Sequence, residues 1–165
     1  MQRLLDIGFE TAGRWRLEND RLVLNLNAHA DSAGVLYAFV SGGVVLYVGK
    51  TMRPLSVRLS SYCSPGPTQA TNVANNRRIL SALRAGESID ILVLLDNGLL
   101  RYGPFRISLA AGLEDDLIRA ISPPWNGSTK PDSPFDVVVS KPSFSDAVPF
   151  ECASSPEECA GRTLA

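Results

Sequence analysis

The sequence predicts an α/β (α+β) domain: a small three-stranded antiparallel or mixed sheet flanked by helices, preceded by an N-terminal hairpin. Val35–Val40 and Val44–Val48 are β-branched and aromatic runs on either side of Ser41-Gly42-Gly43, whose glycines supply the positive φ of a tight hairpin. Ile89–Leu95 is a continuously apolar run suited to the centre of a sheet. Ser108–Ile121 places Leu113, Leu117, Ile118 and Ile121 on one helical stripe.

The chain of 165 residues is long enough to bury a core without disulfide or metal scaffolding, and 45% apolar with 20% charged residues is ordinary for a globular protein. Residues 1–31 read as an N-terminal extension packing on the core. Trp15 and Leu17, then Leu22, Leu24 and Leu26, alternate with polar residues around Glu18-Asn19-Asp20, as in a hairpin with one buried face. Its Arg14, Arg16 and Arg21 would either be solvated or form a substrate-contacting arm. Residues 32–128 form the main domain, and 129–165 form an acidic extension containing Pro and Ser, with one strand-like run at Phe135–Val139 and a mobile end from Ser154.

Cys63, Cys152 and Cys159 make an odd count that fits a reducing, cytoplasmic setting. With His29 they could formally supply four zinc ligands, but no C-x2-C pair is present. Arg3 and Asp6 near the start argue against a signal peptide, and the apolar runs are strand-sized, so no membrane partner is expected.

The hairpin delivers Tyr37 and Tyr47, followed by Gly49-Lys50-Thr51 and a segment in which Leu55, Val57, Leu59 and Tyr62 could share part of a helix face while Arg58 leaves it. The Gly-Lys-Thr run is not a nucleotide-binding phosphate loop, which wants glycine at position 44, where Val44 stands. Phenols on a rigid hairpin beside two cations can instead hold and polarise a phosphate. The net charge of −1 offers no general attraction to a polyanion, yet no acidic residue lies between Asp31 and Glu87, where Lys50, Arg53, Arg58, Arg77, Arg78 and Arg84 fall. Ser64–Asn76 is expected to be a surface loop, within which Thr71 or Asn72 caps a helix carrying Asn75 to Leu83, with Ile79, Leu80 and Leu83 facing inward and Gly86 as the stop. Asn72, Asn75, Asn76, Arg77 and Arg78 would contact DNA phosphates or base edges, or serve only in capping and solvation.

At these residues the chain resembles the GIY-YIG nuclease family. The first motif appears as Val35-Leu36-Tyr37 with a displaced glycine at Gly34, and the second as Tyr47-Val48-Gly49, its tyrosine ten residues on. The family's helical arginine is Arg58 in VRLSSY, similar to the corresponding stretch of the incision subunit of bacterial nucleotide-excision repair. Glu114 in LEDDLIRAI and Asn126 in PPWNG complete the pattern at a twelve-residue spacing. The resemblance implies a metal-dependent DNA endonuclease in a bacterial or phage setting of repair, restriction or mobile-element processing. It implies Glu114 as ligand to Mg²⁺ or Mn²⁺, Tyr37 as general base with Lys50 stabilising its phenolate, and Arg58 as phosphate clamp. Tyr47 and Tyr62 would hydrogen-bond water or phosphate, Gly49 closes the second motif as a supporting residue, and Asn126 would buttress the site. Lys50 and Arg53 join the amide and arginine set as DNA contacts. The partner implied is DNA, expected to be double-stranded; cutting both strands would need a homodimer or two sequential visits, and a targeting protein is a further partner. The alternative is a catalytically silent DNA-binding or protein-interaction module of the same fold.

Overall fold

The computed structural model describes residues 1–127. The expected strand at Phe135–Val139 and the whole of the C-terminal extension fall outside them. The elements in order are α1 (Gln2–Asp6), β1 (Glu10–Glu18), β2 (Arg21–Leu26), β3 (Val35–Ser41), β4 (Val44–Thr51), α2 (Leu55–Cys63), α3 (Ala70–Arg84), β5 (Ile89–Leu94), β6 (Arg101–Tyr102), β7 (Phe105–Arg106) and α4 (Leu109–Ile121).

The main sheet has five strands, all antiparallel, in the order β2-β1-β5-β3-β4. The three-stranded expectation is therefore too small, because the N-terminal hairpin does more than pack on the sheet. It extends the sheet, β1 pairing with β5 from Glu10↔Val93 to Trp15↔Ile89. Two local features allow this. Asn19 and Asp20 both take positive φ, 47° and 62°, the mirror-image turn that matches strand twist. At Gly13 a Cβ would come within 2.1 Å of the Asn25 carbonyl oxygen, so only glycine lets β2 approach β1 there.

Strand alternation divides the core into two layers. On one face Trp15, Tyr37, Phe39, Ile89, Ile91 and Val93 pack under α2 and α3 with Leu55, Leu59, Tyr62 and Ile79. On the other, Leu36, Ala38, Val48, Leu92 and Leu94 meet Leu4 of α1 and Ala110 and Leu117 of α4. Each fully buried aliphatic or aromatic side chain contributes ~1.5–3 kcal/mol, so both layers hold the sheet firmly. Apart from Asp90, β5 is apolar on both faces because both are covered.

α3 starts at Ala70, earlier than the expected cap at Thr71 or Asn72, and its N-cap residue Gln69 makes no side-chain cap. Asn72 sits inside the first turn because its amide is engaged with Ser61, Gln69 and Arg58. α4 is capped by Ser108, whose Oγ accepts from the Ala111 N–H at 3.3 Å, and it ends at Ser122 in the left-handed region before Pro123-Pro124. No helix among the described residues is long and apolar enough to cross a membrane.

Candidate active site

The tyrosine hairpin brings Tyr37 and Tyr47 to the same face of the sheet, where Tyr37 lies opposite Gly49 in the β3–β4 register. The glycine is required by contact rather than by backbone conformation. A Cβ at position 49 would lie 2.8 Å from Tyr37 Oη and 2.9 Å from a Tyr47 ring carbon. Without a side chain there, the two phenols lie against the strand with ring centroids 6.2 Å apart.

α2 then drops Arg58 and Tyr62, one turn apart, onto this pair. Arg58 Nε donates to Tyr37 Oη at 3.0 Å, Nη2 donates to Tyr62 Oη at 2.7 Å, and the two hydroxyls are 2.9 Å from each other. Arg58 Nη1 donates to Ser61 Oγ at 2.9 Å and to Asn72 Oδ1 at 3.0 Å, and the guanidinium carbon lies 4.6 Å from the Tyr62 ring centroid. Tyr37 and Tyr62 are fully buried. Burial pushes both phenols well above their ordinary range, and the charge of Arg58 offsets this only in part. Both are therefore neutral at physiological pH. The guanidinium is itself half-buried, and the neighbouring phenol oxygens favour its charged form against the opposing effect of burial.

Lys50 is not part of this cluster. It pairs with Leu36 across the hairpin, one residue beyond Gly49, so its side chain leaves the opposite face of the sheet. There its Nζ lies 2.9 Å from Glu114 Oε2 on α4, and that hydrogen bond and charge raise the lysine pKa. The cation that touches Tyr37 is Arg58. The expected support of a Tyr37 phenolate by Lys50 is corrected accordingly, since alternation along β4 separates them.

Asn126 closes the outer edge of β4. Its Nδ2 donates to the Val48 carbonyl at 2.7 Å and its Oδ1 accepts from the Val48 N–H at 2.8 Å, while the Trp125 N–H donates to the Leu46 carbonyl at 2.9 Å. Arg78 Nη1 fixes the same segment through the Trp125 carbonyl at 2.6 Å. Between this segment and α3 lies an open cleft of about 330 Å³, lined by Tyr47, Thr71, Asn75, Arg78, Trp125 and Asn126.

Several expected DNA contacts are committed inside the protein. Asn72 is buried against Arg58, Asn75 is fully buried, Asn76 Nδ2 donates to the Tyr62 carbonyl and Arg78 holds Trp125. Arg84 pairs with Asp20 at 2.9 Å and Lys50 with Glu114, so acids from other parts of the fold partly neutralise the acid-free block. Arg53 and Arg77 are exposed, with no side-chain partner among the described residues. Arg14, in the N-terminal hairpin, is tied to Asp90 at 3.0 Å.

No group of three or more His, Cys, Asp or Glu side chains suited to a metal exists among the described residues. Glu114 offers a single carboxylate with one oxygen engaged by Lys50. Such a donor fits only a hard cation that keeps most of its waters, as Mg²⁺ does.

No protein-family model and no curated protein sequence matches the chain. Among solved structures it is similar to a mutant of bacteriophage T4 EndoII, at 19% identity and a TM-score of 0.61, over 76% of this chain and 96% of that one. The two chains share a fold. The restriction endonuclease HPY188I in complex with product DNA is a more distant match, at 17% identity and a TM-score of 0.44, over 68% of this chain and 72% of that one.

Sequence reasoning missed the support around Arg58. Ser61 and Asn72 fix the guanidinium, and Gln69 holds Asn72 in turn at 2.9 Å. The three-residue step from Arg58 to Ser61 carries a local signal, since such residues neighbour each other on a helix. Asn72 comes from another helix, and no spacing in the sequence points to it.

Proposed function

We propose that the chain is a metal-dependent DNA endonuclease of the GIY-YIG type, hydrolysing phosphodiester bonds at the Tyr37–Arg58–Tyr62 cluster and the neighbouring Lys50–Glu114 pair. The observation that carries the reading is Arg58 held by two buried phenols, one of them packed on Gly49, in a fold shared with T4 EndoII, a phage endonuclease. A guanidinium fixed in this way is pre-oriented, and its one N–H not engaged among the described residues, on Nη2, is left for a phosphate oxygen. β4 is an edge strand, and Trp125 and Asn126 pair with it only along Leu46–Val48. A backbone phosphate approaching the Gly49–Thr51 end would have the half-buried Arg58, at the rim of the phenol cluster, on one face of the sheet and Lys50–Glu114 on the other.

In this reading Arg58 binds the scissile phosphate and Tyr62 orients Arg58. Tyr37 accepts the proton of the attacking water through a small phenolate fraction that Arg58 supports. Tyr47, which lines the open cleft, contacts the substrate beside it. Glu114 would hold Mg²⁺ or Mn²⁺, which when bound supplies positive charge at the phosphate oxygens. Arg53 and Arg77 are the exposed cations assigned to DNA.

The test is nicking or linearisation of supercoiled plasmid by the full chain with Mg²⁺ or Mn²⁺. Cleavage abolished by EDTA and by Glu114→Ala supports the enzyme. Cleavage surviving both removes the metal and Glu114 from the mechanism. A second reading, a DNA-binding module that does not cut, draws on Lys50 occupying Glu114 and on the burial of Tyr37. It is favoured if binding is strong and salt-dependent but no metal elicits cleavage.

A further inference from the structure

We propose that the β6–β7 hairpin is a DNA wedge, inserting Tyr102 and Phe105 against the bases of the duplex presented to the site; this rests on the endonuclease reading above. The ladder runs Leu100 with Ile107, Arg101 with Arg106 and Tyr102 with Phe105. Alternation places Leu100, Tyr102, Phe105 and Ile107 on one face and the two arginines on the other. The apolar face is bare: Tyr102 is 80% and Phe105 72% exposed, with Leu100 and Ile107 at 46% and 43%. Strands of two residues are too short to persist alone, and aromatic rings left in water contribute nothing to the free protein. A hairpin held out in this form with an apolar face suits a ligand.

Its root is anchored. Arg106 Nη2 pairs with Asp96 at 3.3 Å. Asp96 also accepts from the Gly98 and Leu109 N–H groups, and together these contacts hold its carboxyl below the usual range. Leu109 opens α4, the helix that carries Glu114. A cleft of about 340 Å³ joins Asp96, Arg106 and Ser108 to Gly34 and Met52, so the root lies at the end of the sheet where Lys50 and Thr51 finish β4.

The occupant follows from chemistry. Tyr102 and Phe105 flank a Gly103-Pro104 tip, a narrow apolar edge able to enter a base step, where side-chain wedges unstack DNA. Arg101 and Arg53 are exposed, with no acidic side-chain partner among the described residues. These cations suit phosphates on either side of the groove. A second copy of the chain would bring the same cations toward their own likeness, so DNA is the better complement.

The experiment compares the full chain with Tyr102→Ala/Phe105→Ala and with Tyr102→Trp, all in EDTA to keep the DNA intact. Duplexes carry 2-aminopurine at successive positions. The parent chain should brighten 2-aminopurine at one or two positions. The double variant should bind about 10- to 100-fold more weakly, without brightening and with an unchanged salt slope, as expected for lost stacking. Tyr102→Trp should retain both properties, and unchanged melting temperatures establish that the fold is intact. Salt-dependent binding by the parent with no brightening, and equal affinity for the double variant, overturns the wedge while leaving DNA binding in place. No salt-dependent DNA binding by the parent overturns the endonuclease reading and the wedge with it. Self-association of the parent in sedimentation, lost in the double variant and unaffected by DNA, assigns the hairpin to a second copy instead.

Discussion

The two faces of the sheet share the buried strands β3, β4 and β5, with β1 and β2 adding to one face alone, and they differ in what they bury. Beneath α1 and α4 the layer is apolar throughout, with Leu4, Leu36, Val48, Leu92, Ala110 and Leu117 in contact. Beneath α2 and α3 the layer admits two phenols and, at its rim, a half-buried guanidinium whose N–H groups reach Tyr37, Tyr62, Ser61 and Asn72. An apolar layer is sufficient to hold this sheet. A polar cluster on the other face adds desolvation and must be satisfied bond by bond, so its presence marks the face where chemistry is proposed.

Replacing one residue from each face gives the sharpest contrast. Arg58→Ala should lower kcat/KM by on the order of 100-fold or more, ~3 kcal/mol of transition-state stabilisation, with a smaller loss of DNA affinity. Leu117→Ala, on the apolar face, should cost ~2–4 kcal/mol of stability and leave the rate of the folded fraction unchanged. Equal losses of binding and rate in Arg58→Ala would remove its catalytic role.

The second contrast is in pH. Tyr37 can accept a proton only as phenolate, and burial raises its pKa above the ordinary value of 10.0, so the active fraction is small at neutrality. The rate should rise about tenfold per pH unit from pH 7 to 9 with no plateau attributable to this group, and the slope should disappear in Tyr37→Phe. Stability moves oppositely. A raised folded pKa means that the unfolded chain loses its proton first, so stability is fully present below pH ~10 and declines above it. A plateau near pH 8 would assign the proton acceptor elsewhere.

Gly49→Ala should follow in size. The added methyl would meet Tyr37 and Tyr47, whose packed rings cannot both yield, and the strain should be ~1–3 kcal/mol. Melting should fall and activity with it, and an unchanged melting temperature would mean that the phenols are not packed as described. The smallest effect belongs to Lys50→Ala. Its side chain is 41% exposed in the pair with Glu114, so the loss of stability should be at most ~1 kcal/mol. Any larger effect on cleavage would then report on the metal carboxylate rather than on folding.

The same contrast explains what could be read from the chain. Tyr37, Tyr47 and Gly49 were legible because strand alternation and hairpin register are local, and Leu113, Leu117 and Ile118 because a helical stripe is periodic. The loss of Lys50 from the phenol cluster was legible in principle from the same alternation, since it stands one residue beyond Gly49. Commitments made by tertiary contact were not legible: Asn72 to Arg58, Arg78 to the Trp125 carbonyl, and Asn126 doubling the strand ladder at Val48. An amide or guanidinium has the same local pattern whether it meets DNA, water or a neighbouring helix.

The sequence by itself pointed to the N-terminal hairpin, the tyrosine hairpin, the central strand β5 and the helices α2, α3 and α4, because backbone propensity and periodic burial act over a few residues; the short α1, β6 and β7 carry too few residues for a periodic signal. Only the tertiary structure decided that the sheet has five strands, that Arg58 meets Tyr37, and that Lys50 meets Glu114. Each of these depends on which edge, face or helix end a side chain encounters across tens of residues, and local propensity carries no information about that encounter.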